Sequence, residues 1–154
     1  MAGQKRGEKV RCYRPEAPSP APGRRGTIWR MTGLIQVLGV IFGVVLILVG
    51  ILESFFFRDQ RLHGLFLIKP EDTDAVRMWT FNLGFYNMIW GVGAIIGALM
   101  LTGAEPAAGR VLLLFTSLGH VLLGIILVLS ERRLWASGIA EALLPAVIAA
   151  LLFL

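Results

Sequence analysis

The segment from Trp79 to Leu101, WTFNLGFYNMIWGVGAIIGALML, decides the fold that the rest of the chain has to accommodate. It is apolar and long enough to cross a bilayer as a helix, which needs about 20 residues. Its first half nevertheless contains Asn82, Tyr86 and Asn87, and unpaired polar groups are costly inside a bilayer. We therefore expect a membrane helix whose polar side faces other helices.

The composition of the whole chain agrees with this interpretation. Of its 154 residues 56% are hydrophobic and only 16% are charged, which excludes an ordinary soluble domain. Further apolar runs cover residues 31–57, 111–130 and 134–154. Pro70 and the acidic residues that follow it form a helix-start signal ahead of the segment from Trp79 to Leu101. The sequence predicts an all-α polytopic membrane protein, a four-helix transmembrane bundle with helices at about 31–57, 72–101, 110–130 and 134–154. Nothing outside these spans is large enough for a soluble catalytic domain.

Residues 1–30 are rich in proline, glycine and basic side chains. They contain eight of the 15 Lys and Arg residues, and they lack the apolar content needed to form a core. We predict a disordered basic tail, with a start of translation at Met31 as the alternative. A basic segment beside a membrane helix favours anionic lipid head groups, and no nucleic-acid partner is expected.

Six polar residues inside the predicted spans are the candidates for ligand binding or proton exchange. They are Glu53, Asn82, Tyr86, Asn87, His120 and Glu141. Four crossings put the first and third connections on one side of the membrane, so all except His120 lie in the same leaflet, and His120 forms the floor of this polar layer. Ionisable groups within a membrane are costly and frequently functional.

Four of the six candidates also have a purely structural interpretation. Glu53 could pair with a backbone donor or with Arg58 near the interface, His120 could bond a backbone carbonyl, and the two asparagines could join helices. Glycines on the helix faces are expected to allow close packing, and these are Gly39, Gly43, Gly50, Gly93 and Gly97. No phosphate loop, nucleophile elbow or zinc motif occurs in the sequence, and we expect neither a metal nor another cofactor.

Three motifs resemble a known family. They are Glu53-Ser54 followed by three phenylalanines, N-L-G-F-Y-N from Asn82 to Asn87, and L-P-A from Leu144 to Ala146. The combination is similar to a small four-helix bacterial membrane family, domain of unknown function number thirteen hundred and four. That family reads N-Q-G-L-Y-N and Q-G-L-P-A, so Leu83 replaces a glutamine and Glu141 stands near the polar residue of the last motif. The resemblance covers Met31 to Leu154. It implies the four-helix fold, gives no counterpart for the basic tail and supplies no substrate.

The distribution of basic residues bears on the orientation. With the tail, the N-terminal side has nine Lys and Arg residues against six on the other side, and without the tail it has one against six. The positive-inside rule then puts the first and third connections in the cytoplasm and both termini outside. We adopt this second arrangement and predict a multi-pass protein of the bacterial inner membrane.

Three functions are compatible with these observations. The first is binding or transport of a small molecule or of protons through the polar layer. The second is an accessory subunit that docks a larger membrane complex, and the third is an intramembrane lipid-modifying enzyme with Glu53, Glu141 and His120 as acid and base. We favour the first and do not favour an enzyme. The expected partners are membrane lipid and either further copies of the chain or a larger complex.

Overall fold

A computed structural model describes residues 22–59 and 69–154. Within these ranges the chain forms four long helices, α1 (Pro22–Phe55), α2 (Thr73–Met100), α3 (Pro106–Ser130) and α4 (Trp135–Phe153). Short 3-10 helices, Pro70–Asp72 and Arg132–Leu134, lead into α2 and α4. Each long helix includes a span long and apolar enough to cross a membrane. The predicted all-α, multi-pass fold with a four-helix transmembrane bundle is confirmed.

Two helices begin earlier than the sequence predicted. α1 starts at Pro22 and not at Met31, so residues 22–30, assigned above to the disordered tail, continue the helix. A helix that is already formed is extended at little cost, and proline suits a first helical turn. The same preference explains why α3 starts at Pro106, before the predicted residue 110. The predicted tail from residue 1 to 21 lies outside the described residues.

Consecutive helices run antiparallel and pack unequally. α1 packs along the length of α2 and α4 along α3, whereas the seam between α1 and α4 is much narrower. Glycines account for the close pairs: a Cβ atom added to Gly43 would lie 2.5 Å from the carbonyl oxygen of Gly91, and one added to Gly124 would lie 2.5 Å from that of Gly138. The bundle is therefore two tight hairpins joined mainly through α2 and α3.

The predicted packing glycines fall into two groups. Gly39, Gly43, Gly50 and Gly97 face a neighbouring helix so closely that a Cβ atom would collide with it. A Cβ atom on Gly93 would instead meet the Thr116 methyl group at 3.6 Å, an ordinary contact distance. Close approach of the backbones thus depends on the first group.

Apolar side chains fill the core of the bundle and also cover its outer surface. Its core consists of Ile35, Phe42, Leu46, Ala94, Ala98, Leu113, Ile148 and Leu152. Large apolar side chains also cover the outside, as suits a surface that contacts lipid tails. Trp29, Trp79 and Trp135 are exposed near helix ends, where aromatic side chains favour the membrane interface.

Candidate functional site

The centre of the candidate site is a pair of polar residues on α1 and α2. Glu53, in the last turn of α1, is only 9% exposed. The side-chain amide of Asn87 donates a hydrogen bond of 2.6 Å to its carboxylate. Gly50 and Gly84 meet backbone to backbone beside this pair, which brings the two helices close enough for the bond. Glu53 is therefore bound inside the hairpin.

The interfacial partner considered for Glu53 is engaged elsewhere. Arg58 forms a 3.1 Å salt bridge with Asp74 on the exposed surface. Ser54, next to Glu53, donates its hydroxyl to the carbonyl oxygen of Phe81 at 3.2 Å. Of the structural interpretations given above, the interhelical bond thus applies to Asn87, and the pairing of Glu53 with Arg58 is not observed.

Glu141 brings a second carboxylate to the same region. It is half-buried on α4 and lies within electrostatic range of Glu53. In the described part of the chain its carboxylate has no hydrogen-bond partner. Pro145 lies one turn further along α4 and has no N–H group, so the backbone carbonyl of Glu141 lacks its usual helical donor. The side chain of Glu141 thus has no donor partner in that part of the chain, and its backbone carbonyl lacks the usual one.

His120 is fully buried near the middle of α3. Its Nδ1 lies 3.0 Å from the carbonyl oxygen of Thr116, and its ring makes edge contacts with Phe42 and Trp90. Because a carbonyl oxygen can only accept, this bond requires a proton on Nδ1, and in the neutral ring Nε2 is then an acceptor. Neither this Nε2 nor the buried Ser117 hydroxyl has a partner among the residues described. The carbonyl bond anticipated for His120 is present, and one ring nitrogen remains available.

The structure does not bring Asn82 and Tyr86 to this region. Asn82 is exposed and donates its side-chain amide to the Met78 carbonyl of its own helix at 2.8 Å, while Tyr86 is 62% exposed. We expected the polar side of α2 to face other helices. The glycines that contact α3, however, lie in its second half, at Gly93 and Gly97, so the same face is uncovered in the first half.

The polar groups of Glu53, Glu141 and His120 are mainly acceptors. They comprise the Glu53 and Glu141 carboxylates and the Glu141 carbonyl, with the free Nε2 of His120 deeper in the bundle. The Asn87 amide already donates to Glu53. No group of three or more His, Cys, Asp or Glu side chains in the described ranges could hold a metal ion. Such a layer suits a ligand that brings its own protons or positive charge.

Sequence reasoning missed two contributors. Ser117 was not selected, because a single serine in an apolar helix carries no specific signal. The free carbonyl of Glu141 could have been found from the sequence, since Pro145 follows it by one helical turn.

The comparisons with known proteins concern the family of this chain. A family profile described as "Protein of unknown function (DUF1304)" matches residues 40–154, which include Glu53, Asn87, His120 and Glu141. No curated protein and no solved structure matches the chain.

Proposed function

Since the chain belongs to the DUF1304 family, whose function is unknown, we propose its activity from the polar layer itself. The protein binds a small organic cation between Glu53 and Glu141 and exchanges it for protons. One observation carries this proposal: the Asn87 amide fixes Glu53 within electrostatic range of the half-buried Glu141.

The charges of the layer favour a cationic ligand. Two carboxylates near each other inside a membrane repel and are poorly solvated, so each is stabilised either by a proton or by a positive group. Arg58, which follows Glu53 at the end of α1, is paired with Asp74 at the surface. A cation with several N–H groups could satisfy both carboxylates, and the Glu141 carbonyl is a further acceptor. A proton on either carboxylate would then compete with the ligand, so that ligand binding is coupled to proton release.

The location of the layer in the membrane bears on the direction in which the ligand would be transported. The layer lies towards the bundle end that includes Arg58, Lys69, Arg77, Arg132 and Arg133, while Arg24, Arg25, Arg30 and Arg110 lie at the other end. With the tail left out of the count, as in the arrangement adopted above, the positive-inside rule puts the layer of this proposal in the cytoplasmic half of the bacterial inner membrane. The ligand would enter from the cytoplasm and leave in exchange for external protons.

Guanidinium is a suitable probe, because it is small, permanently charged and rich in N–H donors. The full chain is reconstituted in liposomes with an acidic interior, radiolabelled guanidinium is added outside, and a pH-sensitive dye inside reports proton release. We expect uptake above that of empty liposomes, together with proton release. Both signals should be lost in Glu141→Gln and in Glu53→Gln.

Glu105→Gln is the matched control, because Glu105 is an exposed carboxylate in the turn before α3, far along the chain from the layer. It should leave both signals unchanged. Uptake and proton release that are the same in the wild type, in the Glu53→Gln, Glu141→Gln double variant and in empty liposomes would overturn the proposal.

A further inference from the structure

A cavity of about 310 Å³ opens at the end of the bundle opposite to Glu53. It lies where α1 begins, where α2 turns into α3 and where α4 ends. Its apolar wall includes Ile35, Leu101, Leu151 and Leu152, and Ala107 and Arg110 lie on the α3 side. The volume is at the small end of the roughly 300–1,000 Å³ typical of ligand pockets.

The deep part of the cavity wall is apolar, and the charged side chain of Arg110 lies at the opening. Ile35 and Leu152 are buried, whereas Ala107 and Arg110 are exposed. The membrane spans of α1 and α4 have one end here, so the cavity is at the level where acyl chains meet head groups. An occupant therefore needs an apolar part inside and a polar part at Arg110.

The charge at the opening of the cavity determines which polar group the occupant needs. Arg110 has no hydrogen-bond or ion-pair partner within residues 22–59 and 69–154, although Glu105 lies in the preceding turn. The exposed Arg30 is near the start of the α1 span, at the same end of the bundle. Guanidinium groups bind phosphate oxygens through paired hydrogen bonds.

We propose that this cavity binds an anionic phospholipid, with part of an acyl chain against Ile35 and Leu152 and the phosphate head group on Arg110. The proposal is independent of the cation exchange suggested for the other end of the bundle. The rival occupant within the chain, residues 1–21, has five basic residues against two acidic ones, and its charge makes it a poor partner for Arg110.

Native mass spectrometry of the full chain released from detergent tests the proposal, because it counts bound lipids and protein copies together. Phosphatidylglycerol and phosphatidylcholine of identical chain length are the probes. We expect one phosphatidylglycerol to bind to each chain in preference to phosphatidylcholine. Arg110→Gln should weaken its binding about fivefold, in keeping with the loss of one cation near anionic lipid. Arg133→Gln, which removes an exposed arginine at the other end, should have no effect.

A second pair of variants tests the cavity itself. Ala107→Phe fills it from its exposed side and should reduce phosphatidylglycerol binding, whereas Ala108→Phe adds the same ring to the next exposed residue and should not. Inorganic phosphate should not displace the lipid, because it lacks the apolar part.

Three results would overturn the proposal. The first is equal binding of the two lipids, and the second is lipid binding that is unchanged by both Ala107→Phe and Arg110→Gln. The third is a dimer that carries no lipid and is broken by Ala107→Phe, which would identify a second copy of the chain as the occupant.

Discussion

Asn87 and Glu53 join α1 and α2 by a hydrogen bond of 2.6 Å from a side-chain amide to a carboxylate. The acceptor is almost completely buried, so its loss of solvation has to be offset by this bond. The pair is thus both a structural link within the first hairpin and the fixed part of the candidate site.

Replacing Asn87 by leucine should destabilise the protein, because Glu53 loses its donor. We expect a loss of about 1–2 kcal/mol, the upper range for a polar contact between membrane helices. Unfolding in mixed micelles at increasing fractions of dodecyl sulfate measures it. Asn82→Leu is the control, because Asn82 is exposed and bonds only its own helix, and it should change the stability by less than about 0.5 kcal/mol. Equal losses in the two variants would contradict this assignment.

The backbone contact between Gly43 and Gly91 predicts a strong effect of a single methyl group. A Cβ atom at either position would lie 2.5 Å from the carbonyl oxygen of the other. Gly43→Ala and Gly91→Ala should each cost about 1–3 kcal/mol, because the helices have to move apart. Gly33→Ala, where a Cβ atom meets nothing within 4 Å, is the control and should be neutral or stabilising. The free energies of unfolding of the three variants, obtained from their unfolding curves, test this prediction.

His120 allows the packing role of a ring to be separated from the role of its free nitrogen. Phenylalanine keeps an aromatic ring between Phe42 and Trp90 and removes the unpartnered Nε2, although the bond to Thr116 is lost. We expect His120→Phe to stay within about 1 kcal/mol of the wild type, because removing an unsatisfied polar atom offsets the lost bond. His120→Ala should lose about 3 kcal/mol by leaving a cavity. Similar melting temperatures for the two variants would contradict this expectation.

The salt bridge between Arg58 and Asp74 should contribute little. Its side chains are 60% and 91% exposed, so water and ions screen the attraction. Asp74→Asn is expected to change the free energy of unfolding by less than about 0.5 kcal/mol, with a smaller effect at high salt. A loss above 1 kcal/mol that persists in 1 M salt would show that the pair is more than a surface contact.

The sequence was sufficient to predict the fold because hydrophobic runs of membrane length leave few alternatives. The rarity of ionisable and amide groups in such runs also singled out Glu53, Asn87, His120 and Glu141 as candidates, and their role in a functional site stays a prediction. The sequence could not distinguish Asn87 from Asn82. Both lie in the first half of α2, and only the registration of Gly50 against Gly84 determines which one meets Glu53. That registration depends on the packing of two helices and not on either helix alone.

The helix ends show the same limit of local information. Pro70 and the acidic residues after it marked the start of α2 well, because capping signals act over a few residues. The start of α1 at Pro22 depends on the stability of the long helix that follows it, which no residue near the boundary reveals.

The narrow seam between α1 and α4 has a consequence for biogenesis. Each hairpin is closed by its own glycine contacts, so it can pack as soon as both of its helices have been inserted. Glu53 meets Asn87 within the first hairpin, whereas Glu141 belongs to the second. The two carboxylates come together only when the hairpins dock. The docking of the hairpins is therefore what completes the pair of carboxylates on which the proposed exchange depends, and we expect a newly inserted chain to bind no cation before that step.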